Sequence, residues 1–182
     1  MDWEFFILDY IQNEIRTDFL DKVMVGISFL GKGAILWILI AAVCIIFKKT
    51  RGLGITLAID IAANYIAGNL IIKNIVNRIR PCILNNTAEL LVSTPHDASF
   101  PSGHTMFAFG AATIIFMHNK WYGLAAYIFA CLMAFSRVYL YVHFPTDVCF
   151  GAVLGICLAL VVYKARKSFF SDSRLPQPKP DQ

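Results

Sequence analysis

Residues 54–81, GITLAIDIAANYIAGNLIIKNIVNRIRP, decide the fold. The first part, residues 54–72, is apolar except for Asp60 and a few amides, and it has about the 20-residue length that a helix needs to cross a bilayer. Within hydrocarbon every backbone polar group must be satisfied internally, so such a run reads as a spanning helix. Cations follow at once: Lys73, Arg78 and Arg80, with Pro81 closing the stretch.

Outward from this stretch the pattern repeats. Further apolar runs occupy residues 23–47 (interrupted by Gly31-Lys32-Gly33), 103–117, 121–135 and 148–163. Hydrophobic residues make up 58% of the 182 and charged residues only 15%, too few to cover a soluble domain. The expected fold is therefore an all-α membrane protein, a helical bundle of about five transmembrane helices. Residues 3–15 carry Trp3, Phe6, Ile7, Tyr10, Ile11 and Ile15 at helical spacing between acidic residues, too short to span. They read as a short N-terminal interfacial helix, or equally as an amphipathic helix packed on its own bundle. Residues 1–167 form one domain, and the polar, proline-bearing residues 168–182 are expected to be a disordered cytoplasmic tail.

The net charge of +4 comes from scattered basic residues and forms no stripe, so nucleic acid is not an expected partner. The N-terminal segment lacks the basic region of a signal peptide. Of the five cysteines, only Cys82 and Cys149 lie near a membrane surface, and a bridge between them is the one pairing left open.

Loop charges give the orientation. Lys48, Lys49 and Arg51, then Lys120, then Lys164, Arg166 and Lys167 fall in alternate connections, which places them in the cytoplasm. Lys73, Arg78, Arg80 and Arg137 then lie on the outer side, against that bias. Anion binding is the simplest reason, although headgroup snorkelling suits Arg78.

Three segments share this side. Lys73 and Arg80 are seven apart, close to two helical turns, so both can project from one face of a helix that ends at Pro81. Pro101-Ser102-Gly103-His104 opens an apolar run. Serine there can cap a helix, and the free amides of its first turn make an anion site with His104 at its mouth. Arg137 precedes His143, and Asp147 follows four residues later. A helix starting near Pro145 or Thr146 can bring that carboxylate to one imidazole nitrogen and leave the other free to attack.

Together these segments resemble the three signature motifs of the type 2 phosphatidic acid phosphatase superfamily, across residues 73–147. The resemblance implies a lipid phosphatase that uses no metal and no cofactor. His143 is then the nucleophile, held by Asp147, and His104 is the general acid. Lys73, Arg80, Ser102, Gly103 and Arg137 bind the phosphoryl oxygens. It also implies a lipid phosphate substrate within a bilayer, at the extracytoplasmic face of the plasma membrane. Undecaprenyl diphosphate is the leading candidate, with phosphatidylglycerophosphate and phosphatidic acid as alternatives. Haloperoxidase chemistry in the same cation cage would need a soluble shell, which the apolar runs oppose. A non-catalytic lipid-phosphate binder or transporter would use the cations but not the His143–Asp147 spacing.

Outside the motifs, His96 and Asp97 either touch a headgroup or keep their loop wet, and the second reading is preferred. Asp60 is expected to make a structural pairing with Lys32 or a backbone group. Tyr139 and Tyr141 suit an aromatic interfacial belt.

Overall fold

The computed structural model describes residues 2–85 and 89–172, which are mostly helical with no strand. The chain runs α1 (Asp2–Tyr10), α2 (Asp18–Leu30), α3 (Ile35–Ile46), α4 (Arg51–Asn64), α5 (Lys73–Val76), α6 (Pro81–Leu84), α7 (Gly103–His118), α8 (Lys120–Tyr139) and α9 (Pro145–Asp172). It is an all-α membrane bundle, as the sequence requires. Helix α9 carries past residue 168, where the tail was expected to begin. The rest of that tail, from residue 173, lies outside the described residues.

Length and composition alone single out fewer spans than the five expected. Among the described residues three stretches are long and apolar enough to cross a membrane: Arg51–Leu84, Lys120–Tyr139 and Pro145–Ser168. The pair Asp18–Leu30 and Lys32–Ile46, bent by 48°, makes a fourth if taken as one span. The break falls at the glycines flagged in the sequence, where Gly33 (φ 60°) and Ala34 (φ 58°) are left-handed. The fifth candidate, α7, has 16 residues and so extends about 24 Å, short of a hydrocarbon core of about 30 Å. It is the central helix, packed against α4, α8 and α9, with Met106, Ala108, Ala111, Ala112 and Ile114 almost wholly buried.

Small residues permit that packing. A Cβ added at Gly155 of α9 would lie 2.4 Å from the Met106 carbonyl oxygen, and one at Gly151 would lie 2.9 Å from that of Ser102. The start of α9 is thereby pressed against the start of α7, which fixes Asp147 relative to Gly103 and His104.

Helix α1 packs on the bundle, with Leu8 and the following Ile11 buried and the Phe5 ring edge-on to Phe144 at 5.4 Å, while Trp3, Phe6 and Tyr10 stay exposed, so the two readings of the N-terminal segment are compatible. Tyr139 and Tyr141 are not a belt. Both are buried, and their hydroxyls donate to Asp21 and Asp9, each at 2.7 Å. Asp60 does not pair with Lys32. It is fully buried and accepts from the Asn64 amide at 3.0 Å. All five cysteines are free, so Cys82 and Cys149 are not bridged.

Candidate active site

Lys73, Arg80, Gly103, His104, Arg137 and His143 line one chamber of about 190 Å³ at one end of the bundle. Each arrives by a different local device. Between α4 and α5, residues Tyr65–Ile72 form a π-helical segment, and the Lys73 amide bonds back to the Gly68 carbonyl. Such a bulge shifts which side chains face inward, and Lys73 is buried although it ends an apolar span. The helix then stops earlier than the spacing suggests. Asn77 is left-handed at φ 44°, so Lys73 and Arg80 do not share a helical face. The chain instead turns back through an extended Arg80, as the residue before proline prefers, and Pro81 opens α6.

Arg80, 3% exposed, is held on every side. Its Nη1 donates to the Val142 carbonyl at 2.7 Å and approaches His143 Nε2 at 3.0 Å. Its Nε and Nη2 donate to the Asp97 carbonyl and to Asp97 Oδ1, at 2.8 and 2.7 Å. A guanidinium only donates, so His143 Nε2 accepts from Arg80 at the chamber wall and the ring proton resides on Nδ1. On that side of the ring Nδ1 lies 3.5 Å from the Ser99 hydroxyl and 3.6 Å from Asp147 Oδ2. Burial, then the charges of Arg80, Arg137 and Lys73, push the His143 pKa well below its ordinary 6.5, so the imidazole is neutral.

Helix α9 does begin at Pro145, as the four-residue spacing requires. Asp147 is fully buried and satisfied. Its Oδ2 accepts from the Ser99 hydroxyl and, at 2.9 Å, from the Phe144 amide, and its Oδ1 accepts from Arg78 at 2.7 Å. Arg78 does not snorkel to headgroups. It also donates to Thr146 Oγ1 at 2.7 Å and Glu4 Oε2 at 2.6 Å, with its guanidinium 4.0 Å from the Phe144 ring centroid.

Ser102 is the N-cap of α7, but its side chain makes no capping bond. It is fully buried, its hydroxyl accepts from Thr105 at 2.9 Å, and its amide donates to the Asp147 carbonyl at 3.1 Å. Ser102 and Asp147 thus stand behind the chamber wall, whereas Gly103 and His104 line it. Arg137, almost fully buried, lines the chamber and donates to the Ser28 hydroxyl, while its buried Nε has no hydrogen-bond partner among the described residues. Gly31 also lines the chamber, and a Cβ there would lie 2.7 Å from His104 Cδ2.

Sequence reasoning undervalued Asp97. Its carboxylate bridges Lys73 and Arg80. Burial opposes its charge, but the hydrogen bond from Lys73 and the charges of Arg80 and Lys73 outweigh that and hold its pKa well below the usual carboxylate range. Ser99, Ser28 and Glu4 were not foreseen at all. The only signal for Asp97 was its place seven residues before His104, beside an unusual run of cations.

Residues 33–170 match the sequence profile of the PAP2 superfamily. The chain is 38% identical over 144 residues to an undecaprenyl-diphosphatase of Sulfolobus acidocaldarius, covering 79% of this chain and 68% of that one. It is 33% identical over 164 residues to phosphatidylglycerophosphatase B of Bacillus subtilis, covering 81% and 76%. Its fold superposes with a TM-score of 0.76 on a transmembrane PAP2-type phosphatidylglycerolphosphate phosphatase from Bacillus subtilis, at 28% identity over 97% of this chain and 88% of that one.

Proposed function

The chain belongs to the PAP2 superfamily and is a multi-pass membrane lipid phosphatase, and on that premise we propose that it cleaves undecaprenyl diphosphate at the extracytoplasmic face of the plasma membrane through a phosphohistidine. One observation carries the mechanism. His143 holds an unprotonated Nε2 at the wall of a chamber lined by Lys73, Arg80 and Arg137 while its Nδ1 lies on the side of Ser99 and Asp147.

In this reading the terminal phosphate enters with its oxygens toward Lys73, Arg80, Arg137 and the Gly103 amide at the start of α7. His143 Nε2 bonds to phosphorus as the bridging P–O bond breaks. His104, taking up a proton as the phosphate anion enters beside it, gives that proton to the departing oxygen of the lipid monophosphate. The imidazolium formed at His143 is balanced by Asp147 behind it. Water then attacks phosphorus, His104 takes its proton, the P–N bond breaks, and inorganic phosphate and neutral His143 remain. The three cations and the helix N-terminus stabilise the charge that builds on the equatorial oxygens.

Loop charge supports the sidedness. The basic residues at the connection after α3, at Lys120 and after Tyr163 belong to the opposite ends of the helices that present the chamber. A Cβ at Gly52 would lie 3.0 Å from Arg166 Nη2, so two of these groups share one end. The identity to the Sulfolobus diphosphatase favours undecaprenyl diphosphate, while the Bacillus relative keeps phosphatidylglycerophosphate and phosphatidic acid as alternatives.

The test is phosphate release from these three lipids by the purified chain in EDTA. Turnover fastest on undecaprenyl diphosphate and lost in His143→Ala supports the reading, whereas binding without turnover would leave a lipid-phosphate carrier. Sidedness is tested separately by labelling Glu89→Cys, whose native side chain is 88% exposed, with an impermeant thiol reagent in intact cells.

A further inference from the structure

The Asp97 carboxylate sits where a phosphate would need its cations. It bonds to Lys73 through Oδ2 and lies 2.7 Å from Arg80 Nη2 through Oδ1, and the Asp97 carbonyl accepts from Arg80 Nε at 2.8 Å. The cations are 8% and 3% exposed at their side chains, yet the carboxylate that neutralises them is 54% exposed. A structural ion pair of this kind is ordinarily buried on both sides, because water screens an exposed partner and weakens it. Here the exposed member is the one that covers the chamber.

Asp97 also belongs to two spaces at once. It lines the catalytic chamber and, with Asn74, Asn77 and His96, a second polar chamber of about 370 Å³. Asn69 and Lys73 line both as well, so the Lys73–Asp97 pair stands in the partition between them. The backbone is pinned two residues on, where the Ser99 amide donates to the Arg78 carbonyl at 2.8 Å. The Asp97 carboxylate therefore borders both chambers from a backbone held in place.

We propose that Asp97 is a specificity-determining residue, an internal competitor for Lys73 and Arg80 that an incoming phosphate displaces into the second chamber. The inference rests on the reading of Lys73 and Arg80 as the phosphate cradle. Its consequence is selection by charge. A singly charged anion that replaces the carboxylate exchanges one negative charge for another and gains little. A doubly charged phosphate gains a second charge against the same two cations, together with Arg137. The competitor thereby excludes weakly charged anions abundant at a membrane surface, and it speeds release of the phosphate product.

Calorimetric titration of inorganic phosphate into the full chain in detergent micelles tests this without relying on turnover. Affinity scales with the fraction of molecules whose site is uncovered, so removing a competitor that covers the cations about nine-tenths of the time tightens phosphate binding about tenfold. Asp97→Asn is expected to show that gain, together with measurable nitrate binding, and Asp97→Ser must move in the same direction. Mere loss of structure cannot tighten a ligand. Unchanged or weaker phosphate binding in both variants overturns the inference. Arg80→Gln separates the two levels of the argument. If it abolishes phosphate binding while the Asp97 variants fail to tighten it, the cradle stands and the competitor falls. If Arg80→Gln leaves phosphate binding intact, both fall.

Discussion

Arg78 donates to Asp147 Oδ1 at 2.7 Å and to Glu4 Oε2 at 2.6 Å, so one guanidinium ties the carboxylate behind His143 to the N-terminal helix. Thr146 closes the ring by donating to Glu4 Oε1 at 2.6 Å. Helix α1 is in this way part of the support of the site. Asp147 can orient His143 only if its own position is fixed, and Arg78, Ser99 and the Phe144 amide fix it from three directions.

Arg78→Met therefore separates positioning from stability. Small displacements of a catalytic group cost roughly 10²-fold, so kcat should fall by about that factor with little change in KM. The buried Glu4 also loses its partner, at a cost of about 3–5 kcal/mol, and the Tm in detergent should drop. Adding Glu4→Gln should restore much of the Tm and none of the kcat. Recovery of both together would reduce Arg78 to a structural ion pair.

The pH profile tests the state of His143. Its folded pKa is depressed, so the neutral form that can attack persists as pH falls through 6.5 and is lost only well below it. The acid limb of kcat/KM attributable to the nucleophile should lie below the ordinary histidine range. Arg80 is the first-named charge in that depression, after burial, so Arg80→Gln should move the limb to higher pH while also raising KM. A limb that stays in place would mean that another group controls it.

The motif residues were legible because their information is local. His143 and Asp147 are one helical turn apart, and Pro145 is a helix-starting residue between them, so the sequence nearly writes the contact. The cations were legible as charges set against the loop bias. Their real geometry was not, because the π-helical segment before Lys73 and the left-handed Asn77 leave no periodic mark, and the helix was expected to reach Pro81. The supporting shell was hidden for a different reason. Arg78 meets Glu4 and Arg137 meets Ser28 across separations of 74 and 109 residues, and no spacing rule connects them. Helix α1 was ambiguous in principle, since acidic residues between apolar ones serve equally to face headgroups or to accept from Arg78 and Tyr141. The central place of α7 was hidden because burial in protein and burial in lipid select the same apolar composition.

Helix packing sets the geometry of the site from a distance. A Cβ at Gly155 would lie 2.4 Å from the Met106 carbonyl oxygen, a backbone atom that cannot yield as a side chain would. Gly155→Ala should cost about 1–3 kcal/mol through overpacking, read as a lower Tm in detergent. It should also lower kcat, because α9 carries Asp147 and α7 carries His104. An unchanged Tm would show that the two helices separate more easily than their contact suggests.

Gly31 gives the sharpest test of His104. The broken turn between α2 and α3 brings Gly31 against the imidazole, and a Cβ there would lie 2.7 Å from His104 Cδ2 and 2.6 Å from Met133 Cε. Met133 ends in a flexible thioether that can move aside. The His104 ring is rigid and can only turn or shift. Gly31→Ala is therefore expected to leave folding and phosphate binding nearly intact while slowing leaving-group protonation, with a loss of roughly tenfold or more in kcat. The defect should shrink on substrates whose leaving oxygen needs less protonation, such as an aryl phosphate with an acidic phenol. An equal loss on both substrates would place the fault in the cradle and not in the acid.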